Sequence, residues 1–132
     1  MAQLLLGSVK LAMALADARE AVRGALGANG FGVLSEIDMS ATLEAKLGVE
    51  RPPLVILGAC NPAIADRALQ LSLDASLLLP CNVALSGTAP GETTVSIADP
   101  RAVLPSGALG EVAEEAAGLL RAVLQELSTA SA

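Results

Sequence analysis

Three features of this 132-residue sequence predict an α+β domain of two layers, with helices packed on one face of a mixed, mostly antiparallel sheet. Short apolar runs of strand length alternate with segments of helical periodicity, two of those segments (about 9 to 28 and 107 to 128) are long and amphipathic, and two apolar runs near the end flank a hairpin-like connection. The expected order is β-α-β-α-β-α-β-β-α. With 53% hydrophobic residues the chain has ample material for one core, so residues 1–132 are read as a single domain.

Residues 3 to 7, "QLLLG", form the first short apolar run, and Ser8 offers an N-cap to a helix whose apolar stripe is Leu11, Leu15, Ala18, Val22 and Leu26. Asn29-Gly30 ends it. "FGVLSEI" (31 to 37) alternates as a strand does. Asp38 or Ser40 then caps a short helix with Met39, Leu43 and Leu47 on one side and Gly48 as its stop. After Pro52-Pro53, "LVILGA" (54 to 59) is the continuous apolar run of a central strand. Asn61-Pro62 is the sharpest local signal: Asn is a leading N-cap and Pro is favoured at the first helical position, with Ile64, Ala68 and Leu71 on one side of the helix that follows. "SLDAS" leads to "LLLPCNVAL", bent or bulged at Pro80, and "SGTAPGE" joins that run to "TTVSIA". Ser106 precedes the last helix, with Leu109, Val112, Ala116, Leu119, Val123 and Leu127 inward.

Composition excludes several function classes. Phe31 is the only aromatic residue, so the stacking platforms used by single-stranded nucleic acids are missing. Fourteen acidic against eight basic side chains give a net charge of −6, which repels phosphate backbones and anionic membrane surfaces; neither nucleic acid nor membrane is expected as a partner. The absence of histidine removes the usual neutral-pH acid or base and the commonest metal ligand. The apolar N-terminal stretch has no basic leader region and is interrupted by Lys10, so it reads as strand plus helix rather than a targeting segment. A cytoplasmic location is the expectation, and in that reducing compartment the two cysteines stay free thiols.

Those two cysteines carry the most suggestive pattern. Cys60 and Cys81 each end or interrupt an apolar run and each directly precedes an asparagine, Asn61 and Asn82. "GFGVLSEIDMSATLEAKLGV", then "LGACNPAIADRALQ", then "LLLPCNV" resemble, in order and spacing from about Gly30 to Pro100, the prokaryotic domain-of-unknown-function family numbered 302. The resemblance implies a small α+β homodimer with no established activity. Glu50 and Pro53 stand where that family usually has an aromatic residue and a tyrosine around its Arg-Pro pair.

The paired Cys-Asn motifs admit three readings. Cys60 at a helix N-terminus feels the positive end of the helix dipole, which lowers a thiol pKa and favours nucleophilic, redox or metal chemistry. A ligand pocket floored by Cys60, Asn61, Cys81 and Asn82 is the second reading. The third is packing alone, with Cys as a small hydrophobe and Asn as a cap. Two sulfurs and no histidine do not complete a structural zinc site within one chain, and no metal site is assigned. A second constellation is Glu36 and Asp38, two apart on a strand and so on one face, with Lys46 and Arg51 as counter-charges. The bland alternative is a solvated edge and an N-cap. The expected function is therefore a homodimeric protein binding a small ligand, metal or unknown cofactor near the cysteines; the alternatives are a thiol enzyme with Cys60 as nucleophile and Glu36 or Asp38 as base, or a structural dimer with no site.

Overall fold

The computed structural model describes residues 4–104 and 107–130. Its elements are β1 (Leu5–Leu11), α1 (Leu15–Ala28), β2 (Gly32–Asp38), α2 (Met39–Leu47), β3 (Leu54–Cys60), α3 (Pro62–Leu71), a 3₁₀ turn (Leu73–Leu77), β4 (Cys81–Ala89), β5 (Glu92–Ala98), the short α4 (Pro100–Val103) and α5 (Ala108–Ala130). The five strands form one open sheet in the order β1-β5-β4-β3-β2. The fold is the expected α+β two-layer arrangement.

Alternation sorts the side chains between the faces. Leu11, Val55, Leu57, Ala59, Val83, Leu85, Val95 and Ile97 turn to one side and are buried against Val22 and Leu26 of α1, Leu120, Val123 and Leu127 of α5, and Phe31. Burial of each such leucine or valine contributes roughly 1.5–3 kcal/mol, so this one layer dominates stability. The buried Thr93 joins the core without an orphan polar group, since its hydroxyl donates to the Met13 carbonyl at 3.0 Å. On the other face Ile37 lies opposite Ile56, and Ile56 opposite Ala84; Ile56 and Ala84 are half-buried, and Ile37 is exposed.

Four details depart from the sequence-based reading. Among the described residues every pairing is antiparallel, so the sheet there is not mixed. The first strand runs on through Ser8, because Ser8, Val9, Lys10 and Leu11 pair with Ser96, Val95, Thr94 and Thr93 of β5. A ladder of that length outweighs one local cap signal, and α1 begins at Leu15 with Ala14 as an N-cap that makes no side-chain bond. Leu11 is still buried, but from the sheet. "SLDAS" and "DPRAV", for which no element was expected, wind into a 3₁₀ turn and a short helix. Ser106, the expected start of the last helix, and Gln3 lie outside the described residues.

Candidate functional site

Cys60 is the last residue of β3, and the chain turns there because Asn61 caps the next helix: its Oδ1 accepts from the Ile64 N–H at 3.1 Å and Pro62 occupies the first turn. Cys81 is the first residue of β4 and lies directly opposite Ala59. The two cysteines, twenty-one positions apart, therefore meet at one end of the sheet. Residues 61–80, with α3 and the 3₁₀ turn, join neighbouring ends of the two strands, and β4 runs antiparallel to β3.

Cys60, Asn61 and Cys81 line one narrow, partly open cavity of about 20 Å³, whose other walls are Phe31, Ala59, Ile64, Ala65, Ala68, Leu79, Pro100, Leu104 and Ala116. Asn82 does not join them. It sits opposite Gly58 on the exposed side of β4 and borders a separate shallow hollow with Pro80 and Cys81. On the outer side, Leu34, Cys60, Ala65, Leu69, Ser76, Leu79 and Pro80 line an open groove of about 240 Å³. A wider groove of about 590 Å³ between α3 and α5 holds neither thiol; it is spanned by the ion pair of Arg67 with Glu115.

Both cysteines are free. Burial pushes the Cys60 thiol above its ordinary value. Cys81 is also raised, by deeper burial first and then by the charge that Cys60 would carry as thiolate. The expected depression of Cys60 by the helix terminus is overcome by desolvation against the apolar walls, which favours the neutral S–H. At neutral pH both sulfurs are protonated. Among the described residues no cluster of three or more His, Cys, Asp and Glu is placed to hold a metal ion.

The fold does not bring the acidic constellation together. Glu36 is held by Arg19 and Arg23 of α1 at 2.9 and 2.8 Å, not by Lys46 or Arg51. Asp38 caps α2, accepting from the Ala41 N–H at 2.9 Å and the Ser40 hydroxyl at 2.7 Å, and these two bonds hold its carboxyl below the ordinary range. Lys46 lies in the last turn of α2, and Arg51 on the exposed segment before β3. Glu36 lies opposite Leu57 and Asp38 opposite Val55, three and five residues from Cys60 along β3, so at ~3.3 Å per residue they stand ~10 Å and ~17 Å from it along the sheet. Neither carboxylate can serve as base to Cys60.

Sequence reasoning missed several residues of this end of the fold. Asp99 is nearly buried; it caps α4 and is gripped by Arg101 at 2.8 Å, whose guanidinium also reaches Glu114 of α5. The Arg101 side-chain bond is the main cause that lowers the Asp99 carboxyl. Asp-Pro at a helix start was the available signal. Leu104 and Ala116 reach the cavity from far along the chain, which no local pattern shows. Leu34 is the unpaired residue of a bulge between Val33, opposite Ala59, and Ser35, opposite Gly58.

Comparison with known proteins places the fold. The sequence profile of the domain of unknown function DUF302 matches residues 7–127. The chain is similar to the crystal structure of an uncharacterized conserved DUF302 protein from Bacillus stearothermophilus, at 28% identity and a TM-score of 0.81 over 92% of this chain and 96% of that one. No curated protein matches.

Proposed function

The chain belongs to the DUF302 family, and on that premise we propose that it is a binding protein for a small, largely apolar, thiophilic ligand held where Cys60 and Cys81 meet. The observation that supports this reading is that Cys60, Asn61 and Cys81 all line one small, apolar-walled cavity at the sheet end. Binding is favoured over nucleophilic catalysis because burial keeps both thiols neutral and because Glu36 and Asp38 are engaged elsewhere. A soft partner that displaces the thiol protons needs neither a base nor a depressed pKa. The free thiols fit a reducing, cytoplasmic setting. Assembly as a homodimer belongs to the same reading, supported by exposed Leu34, Ile37, Leu47 and Val49 on β2, α2 and the segment after it.

The test uses phenylarsine oxide, which joins two thiols through one arsenic and releases one water. Native mass measurement should find one adduct per chain, lost in both Cys60→Ser and Cys81→Ser. An adduct that forms only in urea would return the cysteines to packing.

A further inference from the structure

Cys81 lies opposite Ala59, which makes Cys60 its diagonal neighbour on β3. Paired antiparallel strands hold opposed Cα atoms ~4.5–5.5 Å apart and each residue advances ~3.4 Å, which puts the two cysteine Cα atoms about 6 Å from one another. That separation falls inside the range of ~4.4–6.8 Å that a disulfide spans. We infer that Cys60 and Cys81 form a reversible intramolecular disulfide, a redox switch that closes the site when the chain is oxidised and opens it when the chain is reduced. The bond rests on the geometry of the sheet end; its part as a switch rests on the ligand-binding reading above.

Regular pleating alone would send positions 60 and 81 to opposite faces, because Ala59 and Cys81 share one. Cys60, however, is the last residue of β3, and the chain leaves the sheet at the Asn61 cap. Cys60 and Cys81 both line the cavity walled by Ile64 and Ala68 of α3. That cavity is about 20 Å³, room for a single water, so its walls have little distance to travel to bring sulfur onto sulfur. The thiols also sense one another, since a charge on Cys60 raises the Cys81 thiol.

The oxidant is a small disulfide of the glutathione class. Cys60, the less deeply buried thiol, loses its proton and attacks one sulfur of that molecule, forming a mixed disulfide and expelling one small thiolate. Cys81 then loses its proton and attacks the Cys60 sulfur, forming the internal bond and expelling the second small thiolate. Two protein thiols are oxidised, one small disulfide is reduced to two thiols, and both protons end on those products. The new bond ties together the ends of residues 61–80, the segment that carries α3 and the 3₁₀ turn, and it removes both S–H groups from the site.

The experiment incubates the native chain with oxidised glutathione at about pH 8.5, where free thiols are half ionised, quenches with acid, and measures intact mass before peptide mapping without reductant. The expected product is a single chain lighter by two hydrogen atoms, with the Cys60 and Cys81 peptides joined, in a yield that does not change with protein concentration. Its urea midpoint should stand above that of the reduced chain, because the link constrains the unfolded state. It should take up no phenylarsine oxide until dithiothreitol reopens the site. Cys81→Ser should stop at the Cys60–glutathione adduct. A wild-type chain that stops at the same adduct, pairs with a second chain, or closes only in urea overturns the inference, and an oxidised chain that still takes the arsenical overturns the switch. An arsenical adduct without the disulfide sinks the bond alone, whereas the disulfide without an arsenical adduct on the reduced chain sinks the ligand site and leaves the bond standing.

Discussion

At the scale of single residues, desolvation decides the chemistry of the thiols. Alkylation by iodoacetamide over a pH series should give Cys60 a midpoint above the free-thiol value of about 8.5, and Cys81 should react more slowly because it is more deeply buried and repelled by the Cys60 thiolate. A midpoint below about 8.5 for Cys60 would contradict the burial argument. The sign for stability follows: the folded pKa is raised, so the folded state holds its protons longer, and the stabilisation present below about 8.5 is lost as pH rises towards the folded value. Urea midpoints should therefore fall between pH 8 and 10 in the wild type and fall less in a Cys60→Ala/Cys81→Ala variant. Asn61 acts through its cap bond to the Ile64 N–H, and Asn61→Ala should cost about 1 kcal/mol by denaturant unfolding, whereas Asn61→Asp should cost less. The cap was legible in the sequence because its partners are three residues apart. The thiol shifts were not, since Leu104 and Ala116 approach from far along the chain, and the arginines that hold Glu36 come from α1.

Among the elements, those with a strong local start and stop were readable, and those defined by a partner strand were not. Asp38 and Gly48 bracket α2 as expected, with Gly48 at φ +68°, and Asn61-Pro62 starts α3. The boundary between β1 and α1 was misplaced because "GSVKL" is held as strand by β5, more than eighty residues away in sequence. β3 and β4 are neighbours in the sheet, paired antiparallel from Leu54 opposite Ser86 to Ala59 opposite Cys81. Their contact leaves a testable mark at the buried Gly58, where a Cβ would press on both Ser35 Oγ and the Pro80 ring. Gly58→Ala should lower stability by about 1–3 kcal/mol, the usual cost of overpacking. An unchanged denaturant midpoint would show that β4 can move away from β3 here without cost.

For the whole molecule, the two sheet edges differ in a way that bears on assembly. β1 carries Lys10, an outward charge of the kind that blunts an edge against further pairing. β2 is a seven-residue edge whose one acidic side chain before the α2 cap, Glu36, is tied back by Arg19 and Arg23, leaving Leu34 at 68% and Ile37 at 46% exposure. An apolar edge invites another strand even with its bulge at Leu34, and an antiparallel pairing of β2 with the β2 of a second copy about a two-fold axis is self-complementary by symmetry. Sedimentation velocity should then give a species at twice the 13.2 kDa chain mass at micromolar concentration. Ile37→Lys places a charge on that edge at an exposed position and should convert the dimer to monomer without lowering the thermal midpoint of the monomer fold. Wild-type protein that sediments as a single chain across the concentration range would remove the homodimer from the proposal. A dimer that survives Ile37→Lys would move the contact to another surface and leave the β2 edge without a role in it.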